Sequence, residues 1–127
     1  MSLAGGFWIA FAVTVVLLVV SLVSGLTGRR RLHLWTGPAT ILGLVVAVVL
    51  TEQLVKRYTF PAEMTALHLP IAFGAGLLAV PVVATGVWTW RDPAARTWHR
   101  LAVFVFVGAT LAAAGTGLWM FAHATPR

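Results

Sequence analysis

The chain has 127 residues, enough for one domain at most. Of these, 60% are hydrophobic and 9% charged, against about 25% charged in soluble domains, which excludes an ordinary soluble enzyme, a disordered tail and a coiled coil. The absence of cysteine excludes a disulfide framework, a Cys-based zinc or iron–sulfur centre and a thiol catalyst. A net charge of +6 in a soluble domain would suggest nucleic acid. Here the basic residues stand in short runs between apolar stretches, so the expected partner is a lipid bilayer and not nucleic acid.

Four apolar stretches follow in chain order. Residues 7–26 carry no charge, residues 34–55 carry only Glu52, residues 66–90 hold His68, Pro70 and Pro81, and residues 99–122 are apolar after Arg100. A bilayer core about 30 Å thick needs about 20 helical residues, so each stretch is long enough to cross. Residues 1–6 lack Lys and Arg, and the first apolar run exceeds the roughly 7–15 residues of a signal-peptide core, so it is expected to remain as a helix. The links between stretches are short. The fold class predicted is therefore an all-α integral membrane protein, a single domain over 1–127 with four transmembrane helices in an up-down-up-down bundle.

Basic residues set the expected orientation. Arg29, Arg30, Arg31, Arg91, Arg96 and Arg100 fall on one side; Lys56, Arg57 and Arg127 fall on the other. The positive-inside rule then places both termini outside. Helix packing in lipid relies on small residues. Ala72 with Gly76, Gly108 with Ala112, and Ala113 with Gly117 make the third and fourth helices the expected close pair. Pro70 is expected in a first helical turn and Pro81 at a mid-span kink.

The chemistry that remains is carried by histidines. His33 and His99 open the second and fourth helices on the inner side. His68 and His123 lie on the outer side with Glu52, about one turn inside its helix end. Imidazole suits haem iron, copper and zinc. His33 and His99 are therefore candidate cofactor ligands, for haem b or copper. Glu52, His68 and His123 are a candidate three-ligand metal set. Interfacial histidines satisfied by water and headgroups, with no cofactor at all, are the competing reading for both groups. A carboxylate in a span defaults to function, although Lys56 four residues on offers a simple ion pair. His99 and His123 are separated by roughly 36 Å of helix at about 1.5 Å per residue, too far for direct electron transfer between two irons. No metalloprotease, nucleophile-elbow or phosphate-loop motif occurs. Asp92 sits beside Pro93 in a loop, with no serine near it, and no enzymatic activity is expected.

At Gly28-Arg29-Arg30-Arg31-Leu32-His33, at Leu67-His68-Leu69-Pro70-Ile71-Ala72 with Val80-Pro81, and at Trp98-His99-Arg100-Leu101-Ala102 with Thr116-Gly117, the chain resembles a family of small bacterial membrane proteins. It is a numbered domain of unknown function that includes the CtaM-type assembly factor of haem–copper oxidases. The likeness runs from about Phe7 to His123. It implies a four-helix accessory or assembly factor of a respiratory terminal oxidase in the bacterial inner membrane, handling haem or copper. His33, His68 and His99 match family histidines. The family's histidine late in the second helix is missing, since that region reads Thr51-Glu52-Gln53; Glu52 or His123 takes over, or the outer site is lost. Two alternatives stand beside this reading. One is a small b-type cytochrome linked to quinone; the other is a cofactor-free structural subunit of a respiratory or photosynthetic complex.

Overall fold

The computed structural model describes residues 2–127. It is all-α, with four long helices: α1 (Leu3–Leu26), α2 (Arg30–Val55), α3 (Ala62–Trp88) and α4 (Arg96–Ala122). They contain 24, 26, 27 and 27 residues. At about 1.5 Å per residue each exceeds a bilayer core of about 30 Å. All four are apolar enough to cross a membrane. Large apolar side chains lie exposed along them, among them Phe73 (72%) and Val80 (67%). In water that surface would be untenable, and lipid is the solvent it fits.

All four helices start three to four residues ahead of the apolar stretches read from the sequence. In α2, α3 and α4 the extra turn carries polar or charged residues, among them Arg30, Glu63 and Arg96. At α1, Ser2 is the N-cap, its hydroxyl accepting from the Gly5 N–H at 3.1 Å. Because α3 begins at Ala62, Pro70 is not in a first turn as expected but inside the helix, as are Pro81 and Pro38 of α2. Each proline removes one helical N–H.

The chain divides into two compact units, one built on α1 and α2, the other on α3 and α4. Within each unit the two helices pack as a hairpin. The α1–α2 turn is closed by Gly28 at φ +71°, where only glycine escapes Cβ strain. The Arg29 N–H returns to the Ser24 carbonyl at 2.9 Å, the long bond of a Schellman end. Asp92 caps the 3-10 turn Pro93–Ala95 that leads into α4, its carboxylate accepting from the Ala94 N–H at 2.9 Å. That local role accounts for the lone aspartate.

The α1–α2 seam is lined by small and hydroxylated residues. Phe7, Thr14 and Ser21 are buried at seven-residue spacing, and Thr36 and Thr40 are buried on α2. This heptad spacing is what a gently supercoiled antiparallel pair buries. A Cβ added to Gly43 would lie 2.7 Å from the Thr14 Oγ1, closer than real Cβ contacts come. Around Gly76 and Gly108 a Cβ would meet nothing within 4 Å. The expected close contact at those two positions is therefore not made. Packing on α3 and α4 instead uses Ala75, Phe106 and Met120, all buried.

Candidate functional site

Three histidines share one construction. His33 is the fourth residue of α2, in the sequence Arg30-Arg31-Leu32-His33. His99 is the fourth residue of α4, in Arg96-Thr97-Trp98-His99. His68 lies in the second turn of α3. Each ring lies against a glycine of the neighbouring helix. A Cβ on Gly25 would be 3.0 Å from the His33 Nδ1, on Gly86 3.2 Å from the His99 Cε1, and on Gly117 3.0 Å from the His68 Cε1. Glycine gives the imidazole room at these places: a Cβ would sit so close that the ring would have to give by a few tenths of an ångström.

The partners of Nδ1 determine where the ring proton sits. The His33 Nδ1 lies 2.9 Å from the Ser21 carbonyl, which can only accept, so Nδ1 donates. The His68 Nδ1 lies 2.9 Å from the Thr116 Oγ1. That hydroxyl spends its single hydrogen on the backbone of its own helix, at the Ala112 carbonyl 2.8 Å away. It therefore accepts from His68. The His99 Nδ1 lies 3.1 Å from the Thr85 Oγ1, whose hydrogen goes to the Pro81 carbonyl at 2.6 Å. In the neutral form of each ring these partners place the proton on Nδ1 and the lone pair on Nε2. A ring N–H donated to a carbonyl or hydroxyl, with the other nitrogen basic, is how metal-ligating histidines are oriented.

His123 is built differently. It is the C-cap of α4, exposed, with Nδ1 2.9 Å from the Trp119 carbonyl of its own helix. The Trp119 ring packs edge-on against it at 6.1 Å. Glu52 is exposed near the end of α2. Among the described residues no group of three or more His, Cys, Asp or Glu side chains gathers as a metal cage. Of the expected outer set, then, His68 is held between helices and His123 is held within a single turn.

The sequence reading missed the residues that seat the rings: Ser21, Thr85 and Thr116, with Gly25, Gly86 and Gly117. A signal for them existed. Thr85-Gly86 and Thr116-Gly117 are hydroxyl–glycine pairs toward the C-terminal ends of α3 and α4, and Ser21 and Gly25 stand one turn apart toward that end of α1. Each lies opposite a histidine near the N-terminal end of its antiparallel partner.

Fold and site together define a multi-pass membrane protein with imidazoles held between paired helices near their ends. No family model, curated protein or solved structure matches the chain.

Proposed function

We propose that this protein is an accessory or assembly factor of a respiratory haem–copper oxidase, binding haem or copper through its histidines. It would reside in the bacterial inner membrane with both termini outside and a terminal oxidase as its partner. The observation that carries the reading is the shared construction of His33, His68 and His99. Imidazoles that merely tolerate an interface need neither a glycine seat nor a fixed Nδ1–H donor. Here both features recur three times, and each leaves the basic nitrogen on the Nε2 side, where iron or copper is bound.

A second reading is favoured by the repeated Arg-X-X-His at the start of α2 and α4. It makes His33 and His99 candidate haem ligands in a small b-type cytochrome. Visible spectroscopy with metal analysis of the purified protein separates the two. A native haem band, lost in both His33→Ala and His99→Ala, supports the cytochrome. A protein purified without haem that takes up haem or copper on reconstitution supports the assembly role. Deletion of the gene should then lower terminal-oxidase activity without abolishing oxidase synthesis. A protein that stays colourless and metal-free after reconstitution refutes ligand chemistry and leaves a structural subunit. A periplasm-active reporter fused at Arg127 should be active; silence there, with activity in the Arg91–Arg100 loop, inverts the orientation.

A further inference from the structure

In the α1–α2 unit, the outward face of α2 carries a pattern of charge and exposure that the histidines leave unused. We infer that this face binds one anionic phospholipid, with its phosphate on Arg31 and the flanking Arg30, its ester region at Trp35 and an acyl chain along Leu42 and Val45. Such a site is independent of any haem or copper at the histidines.

Arg31, Trp35, Pro38, Leu42 and Val45 follow one another at intervals of four, three, four and three residues. That spacing keeps them on one face of a helix. All five are exposed, Trp35 at 81% and Leu42 at 65%. The face lies roughly opposite Thr36 and Thr40, which are buried in the seam with α1. Trp35 and Val45 are ten residues apart, about 15 Å of helix at about 1.5 Å per residue. This is the depth of one leaflet, half of a bilayer core of about 30 Å. The face therefore offers a lipid its parts in order: a cationic head, an indole whose N–H suits ester carbonyls, and an apolar track.

Charge selects the headgroup. Residues 1–51 hold Arg29, Arg30 and Arg31 and no carboxylate side chain. Glu52, the single acidic residue of this unit, lies 21 residues beyond Arg31, roughly 32 Å along the helix and well past a Debye length of about 10 Å. Nothing acidic in the unit neutralises the arginines. They leave a turn whose course is set by Gly28 and by the bond from the Arg29 N–H to the Ser24 carbonyl at 2.9 Å. A guanidinium grips phosphate through two parallel N–H donors. A zwitterionic headgroup brings its own ammonium against the neighbouring arginines, whereas an anionic one brings none. The positive-inside rule accounts for the side on which these arginines fall. It accounts neither for the alignment of Arg31 with Trp35 and Leu42 nor for the lack of a carboxylate.

The test is native mass spectrometry of the full-length protein in a neutral detergent. The protein is titrated with phosphatidylglycerol and with phosphatidylcholine of identical acyl chains, and with inorganic phosphate as a third arm. The expected result is one phosphatidylglycerol per chain, held at least about tenfold more tightly than phosphatidylcholine. Arg31→Gln should cut that preference about fivefold, the effect of one basic residue at an anionic surface. Gln is as good a helix former as Arg, so the fold should be kept. Trp35→Leu should weaken both lipids about two- to tenfold, one hydrogen bond's worth, with their ratio unchanged. Arg57→Gln, an equal loss of charge just beyond the other end of α2, should change neither lipid. A wild type without preference for phosphatidylglycerol overturns the proposal. So does an Arg57→Gln protein as impaired as Arg31→Gln, which would make the effect one of net charge alone. Displacement of the lipid by inorganic phosphate makes a free anion the ligand and overturns it as well. A lipid-free dimer that Trp35→Leu dissociates would place a second copy on this face and do the same.

Discussion

Replacing Thr116 with valine tests the construction of the histidine sites most directly. Valine keeps the β-branched shape and removes only the hydroxyl. The bond from that hydroxyl to the Ala112 carbonyl is expendable, since the carbonyl keeps its helical role. The loss that matters is the acceptor 2.9 Å from the His68 Nδ1, which leaves the ring only the backbone of Ala113 as a hydrogen-bond partner. In a sealed apolar site an unpaired N–H costs about 1–3 kcal/mol. Between membrane helices the measured loss is smaller, on average about 0.6 and at most about 1.7 kcal/mol, because the unfolded state in lipid also finds partners. The expected destabilisation is therefore about 0.6–1.7 kcal/mol, read by unfolding in mixed micelles. Nitrogen-15 NMR of His68 supplies the second readout: wild type should carry its proton on Nδ1, and the variant should lose that fixed preference. A wild-type ring protonated on Nε2 would refute the reasoning outright. So would a variant with unchanged stability and unchanged tautomer.

Two further substitutions probe the packing. Gly43→Ala puts a methyl 2.7 Å from the buried Thr14 Oγ1; overpacking of about 1–3 kcal/mol, less about 1 kcal/mol of gained helix propensity, gives a net loss of up to about 2 kcal/mol. Thr14→Ala should rescue it in the same unfolding assay, whereas Gly108→Ala should be neutral or stabilising because nothing lies within 4 Å of its new methyl. Thr110 of α4 has a buried hydroxyl with no hydrogen-bond partner among the described residues. Thr110→Val removes an unsatisfied group and should hold or raise stability by about 1 kcal/mol; a clear loss in thermal unfolding would show that the hydroxyl has a partner in the membrane.

Composition and the spacing of charges determined much of this protein without any coordinates. Four uncharged or nearly uncharged stretches of about twenty residues, without the short alternating segments of a β-barrel, point to helices, whose own bonds satisfy every peptide group in lipid. Short polar links then made the two helices of each hairpin antiparallel. The helix starts were less legible, since Glu63 or Arg96 is no obstacle to a helix once the chain has left the hydrocarbon. The four histidines stood out as the few ionisable groups near span ends. What the sequence could not decide was which small residues meet which partners. Gly108 and Gly117 look alike as members of small-residue pairs, yet one faces open space and the other seats an imidazole. That difference depends on the rotation of each helix about its axis, which an evenly apolar helix does not encode. Only tertiary packing brought Thr116 to His68, Thr85 to His99 and Ser21 to His33. It thereby set the acceptors for the ring N–H groups: the Ser21 carbonyl for His33, and for His68 and His99 hydroxyls whose hydrogen is already bound within their own helix.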